Sequence, residues 1–430
     1  MTSTSSLHSL PPELVAHILT LVAPITDRED SVAQRRRWRT LNSISLVCSE
    51  WRQVAQKLLM GDGKVRVYHS RELRPLLALV IGLGTGGGGI ARHVRYLDLT
   101  LWGEALSEEL IELLKECEAL EELVIDHVER LRFDQVVTPN LRSFSARQCT
   151  FISSTPLSSA PYPAPSVYHK LRELDLRFNS FTRDSLPIHT DSLPALNHLL
   201  FQTGAQDQST KTVRVFLQAA SPRLKSLSLD QGAWDLLSNP SEKGTPLSLN
   251  LTTLGLYWDA ANLSIVGSPL LLPPPPHSAA SPSPSSFSPP PYIHLSLYPS
   301  AIAPLLSTFF SLFQQTSRSD LWTWRNVEHF RFEQTFRSLD LENDIIDEDS
   351  EEEIFEEGRE EEAGGRERED PNEKLLRKFV ELPTSVGIRC SVDESEERGT
   401  KERGFGTSWW RYVREVERGE VSNHGVKKGT

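Results

Sequence analysis

One short pattern, L-x-x-L-x-L, recurs through the middle of this chain and restricts its fold more than any other feature. It reads Val94-x-x-Leu97-x-Leu99, Leu120-x-x-Leu123-x-Ile125, Leu141-x-x-Phe144-x-Ala146 and Leu171-x-x-Leu174-x-Leu176. It continues as Leu196-x-x-Leu199-x-Phe201, Leu224-x-x-Leu227-x-Leu229 and Leu251-x-x-Leu254-x-Leu256, with a weaker copy at Val327-x-x-Phe330-x-Phe332. Start to start, the first seven copies lie 26, 21, 30, 25, 28 and 27 residues apart. The last three positions of each copy have the period of a half-buried strand. The residue between the two apolar ones (Asp98, Val124, Ser145, Asp175, Leu200, Ser228, Gly255) is expected on an outward face. One such unit cannot bury its own strand, whereas stacked neighbours share a continuous core.

Between two copies, Ser107 to Cys117 reads as an amphipathic helix. Leu106, Leu110, Leu113, Leu114 and Cys117 line one side, and Ser107 before Glu108-Glu109 makes a good N-terminus. The spacing and the strand-plus-helix unit resemble the leucine-rich repeat, without its regular Asn or Cys after each strand. The resemblance implies a binding scaffold with an extended concave face.

The N-terminus carries a second signature: Leu10-Pro11-Pro12-Glu13-Leu14, then Ile18-Leu19, and later Ser45-Leu46-Val47-Cys48-Ser49-Glu50-Trp51-Arg52. This resembles the F-box, a short helical module that docks a substrate receptor onto a Skp–cullin ubiquitin ligase. Proline suits the first turn of a helix. Leu14, Ile18, Leu21 and Val22 then fall on one helical face, and a second helix is expected from about Trp38 to Leu59. The resemblance implies that Leu10, Pro11, Leu14, Ile18, Leu46, Val47 and Trp51 contact a Skp-type adaptor, and through it a cullin, or hold the module together. The stretch between Ala23 and Arg39 is longer than a compact F-box needs, and its Arg35-Arg36-Arg37 triplet reads as a solvated helix start.

Together these features predict an α/β fold: an N-terminal helical F-box followed by an irregular leucine-rich-repeat solenoid, or horseshoe. The expected organisation is an F-box at 5–60, a linker with a Gly-rich loop at 61–93 and a solenoid at 94–335. An acidic disordered segment at 336–372, a solenoid cap at 373–392 and a charged tail with a short amphipathic helix at 393–430 follow. Ten prolines between Pro269 and Pro291 mark a disordered insertion (269–291) in the solenoid. Between Asp340 and Asp370, seventeen acidic and three basic residues account for more than the whole net charge of −12. That block is expected to solvate rather than pack. In the tail, Trp409, Tyr412, Val413 and Val416 share a helical face, which could serve a partner or the chain's own surface.

Other functions fare less well. Without the acidic block the chain is close to neutral, so no nucleic-acid partner is expected. No stretch of 18 apolar residues exists and the N-terminus lacks a basic start, so no membrane association or secretion is expected. Cys48, Cys117, Cys149 and Cys390 have no Cys-x-x-Cys pairing and read as small core residues of a reducing, cytoplasmic or nuclear compartment. Gly82-Leu83-Gly84-Thr85-Gly86-Gly87 satisfies G-x-G-x-x-G, but only Ile90 to His93 separate the glycines from the next strand. That leaves no room for a phosphate-binding helix. No catalytic residue, metal ligand or cofactor is assigned. The reading is a non-catalytic adaptor with an unknown protein substrate.

Overall fold

The computed structural model of the chain describes residues 10–24, 31–62, 64–67, 90–136, 138, 140–153, 167–182, 185–187, 189–203, 210–230, 232–233, 251–258, 291–297, 328–334, 389–393 and 405–421. The glycine run 82–89, the Pro-rich stretch up to residue 290, the acidic block 340–370 and the expected helix 375–382 lie outside these residues.

Three helices open the chain: α1 (Pro12–Val22), α2 (Ser31–Ser45) and α3 (Ser49–Asp62). Pro12 occupies the first helical position, where its missing N–H costs nothing. The Pro11 carbonyl accepts from the Leu14 and Val15 N–H groups at 2.9 and 3.1 Å. The expected single helix from Trp38 to Leu59 is broken in two. Leu46 and Val47 turn back onto the Ser43 and Ile44 carbonyls, and α3 starts anew with Arg52 N–H on the Cys48 carbonyl at 2.9 Å. Val15, Leu19, Ala23, Leu41, Ala55 and Leu59 form the module's core, with Ile44, Trp51, Val54 and Leu58 packed against it. Burying each large side chain contributes about 1.5–3 kcal/mol. The inward face of α1 is therefore Val15-Leu19-Ala23, not the Leu14-Ile18-Leu21-Val22 face read from the sequence. Arg37 is buried and donates to the Ala23 carbonyl at the end of α1. One member of the arginine triplet thus closes a helix end, where carbonyls lack partners.

The chain divides into two units, Met1–Leu224 with Asp235–Leu247, and Lys225–Trp234 with Ser248–Thr430. In the first, β1 (Lys64–Val67), β2 (Tyr96–Ala105), β3 (Glu122–Glu129), β4 (Ser143–Arg147), β6 (Glu173–Phe181) and β7 (His198–Thr203) pair in that order. All of these pairings are parallel. A short β5 (Thr150–Phe151) pairs with the end of β6. In the second unit, β8 (Ser226–Asp230), β9 (Thr253–Trp258), β10 (Tyr292–Leu297), β11 (His329–Gln334) and β12 (Arg389–Asp393) form a parallel sheet in sequence order. The L-x-L pairs keep register: Leu97, Leu123, Phe144, Leu174 and Leu199 lie side by side, as do Leu227, Leu254 and Ile293.

These findings correct the expected fold. The chain forms a mostly parallel α/β sheet with few helices, not a helical F-box followed by an irregular leucine-rich-repeat solenoid. Among the described residues α4 (Glu108–Glu116), α5 (Phe133–Val136), α6 (Thr210–Ala220) and the helical residues 232–233 lie between strands; other connections include short 3-10 turns at Ile90–His93, Thr190–Ser192 and Ser221–Arg223. The L-x-x-L-x-L period recorded side chains that pack under a sheet, and it carried no information on the connections. The N-terminal helices belong to the first unit, α3 packs against the Ile90–His93 turn and β2, and residues 64–67 of the expected linker are a strand. Leu59, Met60, Ala91 and Val94 are all buried at this junction.

α4 forms where expected. The Ser107 hydroxyl accepts the Leu110 N–H at 3.2 Å, and Leu110, Leu113, Leu114 and Cys117 are buried. Burial pushes the Cys117 and Cys149 thiols up to about 12. Cys48, in contrast, is exposed and not a core residue.

At the ends of three neighbouring strands the backbone kinks. His127, Gln148 and Phe178 have φ of 55°, 50° and 55°, the left-handed region that costs a non-glycine residue about 1–2 kcal/mol. Each kink turns the following residue inward: Val128, Cys149 and Asn179 are buried. Asn179 Oδ1 accepts the Cys149 N–H at 2.8 Å and its Nδ2 donates to the Ala146 carbonyl at 2.9 Å. Cys149 Sγ in turn reaches the Ile125 and Arg147 carbonyls at 3.7 and 3.1 Å. The two side chains thus serve backbone groups on β3 and β4 that strand pairing leaves behind.

Candidate docking surfaces

The core of α1–α3 is filled without several large apolar side chains, and those side chains are left outside. Leu10 and Leu14 are 45% and 50% exposed, and Leu46 and Val47, in the turn between α2 and α3, are 73% and 70% exposed. Leu21, Val22 and Trp38 are also exposed, and Pro11 lies beside Leu10 at the surface. Scattered single apolar residues on a surface are ordinary, and it is their number on one small helical module that stands out. Of the seven residues read from the sequence, Leu10, Pro11, Leu14, Leu46 and Val47 are exposed, and Ile18 is half-buried. Trp51 is half-buried against the module's own core, so its ring holds the helices together rather than standing free. Trp38 has no place in the docking set derived from the motif; its exposure comes from the turn of α2 that buries Arg37 and Leu41 instead.

The residues expected to face outward from the sheet are for the most part covered. In the first unit Val124, Ser145, Asp175 and Leu200 are buried, and Asp98 is half-buried, 3.8 Å from Arg66. Asp175 and Arg177 make a two-pronged ion pair, Nε to Oδ1 and Nη2 to Oδ2, both at 2.8 Å. Burial pulls the Arg177 guanidinium below its ordinary range, the Asp175 carboxylate opposes that, and the nearby Arg147 adds to it. Beside this row stand side chains that remain open. Trp102, at φ 49°, is exposed and packs against His127, with tilted rings whose centroids lie 4.7 Å apart. His127 Nδ1 is 2.9 Å from Asp126 Oδ1, and Phe178 is exposed on its kink. Gly103, at φ 86°, takes the tight turn after Trp102. The sequence gives little warning of these residues, because they lie just beyond the alternating strand positions.

In the second unit the corresponding row is Ser228, Gly255, His294 and Arg331, in register across β8 to β11. Helix α7 (Phe405–Arg418) lies on it. Trp409, Tyr412 and Val413 are buried, and Val416 is half-buried. The Trp409 ring meets His294 edge-on at 5.9 Å, and Tyr412 lies 5.4 Å from His294 and 5.8 Å from His329 between ring centroids. The Tyr412 hydroxyl and His329 Nδ1 are hydrogen-bonded at 2.9 Å. Arg331 Nη1 donates to Glu415 Oε2 at 2.6 Å, and its guanidinium sits 5.3 Å from the Tyr412 ring centre. Burial, with Arg331 and His329 nearby, pushes His294 down to about 3, so it stays neutral. The alternative left open by the sequence is thereby decided: the apolar face of the tail helix lies on the chain's own sheet.

Among the described residues no group of three His, Cys, Asp or Glu side chains could hold a metal ion, and no helix is long and apolar enough to cross a membrane. No protein-family model matches the chain, and no curated protein matches it.

Proposed function

We propose that this chain is a substrate-recognition adaptor of a Skp–cullin–F-box ubiquitin ligase and does no chemistry itself. The observation that carries the reading is the set Leu10, Leu14, Leu46 and Val47, exposed on α1, just before it and in the α2–α3 turn, in a module whose core is complete without them. Each would contribute about 1.5–3 kcal/mol on full burial, and a few such anchors dominate an interface. In this reading they engage a Skp-type adaptor and through it a cullin. Sheet-bearing surfaces hold an unidentified client protein and keep one of its lysines near a charged ubiquitin-conjugating enzyme, so that catalysis is by proximity.

A pull-down with a Skp-type adaptor tests the proposal. Leu46→Asp with Val47→Asp lowers capture at least tenfold while the far-ultraviolet circular dichroism stays unchanged, because neither side chain is part of the core. Absence of binding by the unaltered chain, or binding indifferent to the double substitution, overturns it. If the adaptor binds but client abundance ignores the double substitution, the chain is instead an interaction scaffold acting outside a ligase.

A further inference from the structure

We propose that the sheet face formed by β8 to β11 is a helix-binding site, that α7 is its displaceable resident, and that the partner it fits is an amphipathic helix with aromatic residues three apart and a carboxylate three further on. The inference rests on the client-binding reading in one respect only: the competing helix would belong to the client.

The face is shaped for such an occupant. Gly255 leaves the space that the Trp409 ring fills: a Cβ there would lie 2.8 Å from Trp409 Cε3 and 2.5 Å from Ser228 Oγ. Any larger residue would lift the indole. One strand on, the His294 ring lies against both, in T-shaped contact with Trp409 at 5.9 Å and tilted towards Tyr412 at 5.4 Å. A further strand on, His329 hydrogen-bonds the Tyr412 hydroxyl and Arg331 pairs with Glu415. Trp409, Tyr412 and Glu415 are spaced i, i+3 and i+6, so one helical stripe is read from β9 to β11. The recognition is charged and directional, since Arg331 fixes which end of the helix lies over β11.

The resident is also held as an exchangeable ligand would be. A helix of 14 residues is marginal alone in water, at about the 12–15-residue limit, so α7 takes its order from the sheet. The fit is incomplete. Trp409 Nε1 and Ser228 Oγ are buried with no hydrogen-bond partner among the described residues. A competing helix that satisfied Ser228 Oγ on β8 would gain what α7 forgoes. Because α7 belongs to the same chain as the sheet, an outside peptide competes with an intramolecular occupant. The site is closed by default.

The test uses the full chain carrying a specific protease site between Thr400 and Lys401, and a fluorescent peptide of residues 403–421. Before cleavage, no peptide binding is measurable by anisotropy. After cleavage, the peptide exchanges with the resident helix and binds with at least tenfold higher affinity than a peptide carrying Trp409→Ala and Tyr412→Ala. Arg331→Gln in the cleaved chain lowers affinity for the native peptide several-fold and leaves that for a Glu415→Gln peptide unchanged. This second variant keeps the proposal testable should Gly255→Ala, expected to abolish capture, disturb folding. A cleaved chain that retains its own helix without exchange over a day, or a peptide that binds equally well without its aromatics, overturns the proposal. Neither the adaptor nor a client is needed, so failure here leaves the ligase reading standing, and failure of adaptor capture leaves this one standing.

Discussion

Asn179→Ala is a severe test of how the first unit is held together. Asn179 is 0% exposed, and its amide serves two backbone groups, accepting from Cys149 N–H at 2.8 Å and donating to the Ala146 carbonyl at 2.9 Å. Alanine removes both bonds and leaves no room for a bulk-water shell. Stranding a buried N–H costs about 1–3 kcal/mol, and losing the carbonyl's bond costs about 0.5–1.5 kcal/mol. The expected loss is therefore about 1.5–4.5 kcal/mol, a factor of roughly 10 to 2,000 in the unfolding equilibrium. Asn140→Ala is the control. Asn140 also bonds a backbone carbonyl, that of Glu118, but in an exposed setting, so its loss stays within about 0.5 kcal/mol. Urea unfolding followed by circular dichroism measures both, and amide exchange at Cys149 reports the local effect. A loss for Asn179→Ala below about 0.5 kcal/mol, or one equal to that of Asn140→Ala, would refute the reasoning.

Arg177→Ala removes the two-pronged ion pair to the buried Asp175 carboxylate and is expected to destabilise by about 3–5 kcal/mol, whereas Asp175→Leu with Arg177→Met is expected to recover most of it in urea unfolding. Lowering pH through the window from 6.5 towards 3 is expected to weaken the second unit. His294 is depressed to about 3 in the fold, so the unfolded chain takes up a proton that the native one refuses, and the stability present above pH 6.5 is lost as pH falls. His294→Phe flattens that acid limb, and an unchanged limb contradicts the assignment. Iodoacetamide at pH 8 is expected to label Cys48 in the native chain and spare Cys117 and Cys149, whose buried thiols stand near 12, as peptide mass mapping reads directly.

Sequence by itself determined where the strands of the repeated pattern form and which side chains lie beneath them. Leu97, Leu123, Phe144, Leu174 and Leu199 alternate with their neighbours, and alternation admits one face. It also determined α4, because Ser107 and the Leu110-Leu113-Leu114-Cys117 stripe are local features. Tertiary structure alone decided what covers the other face. Leu200 and Ser228 stand at outward positions yet are buried, and Gly255 reads as a strand weakness until Trp409 is seen over it. It also decided which side of α1 is inside, since Leu14 and Val15 are equally apolar and only packing against Leu41 and Ala55 favours Val15. Asn179 was illegible for a related reason: its role depends on a kink at Phe178 that no propensity predicts. Periodicity records which residues share a face, and the partner of that face belongs to residues far away in the chain.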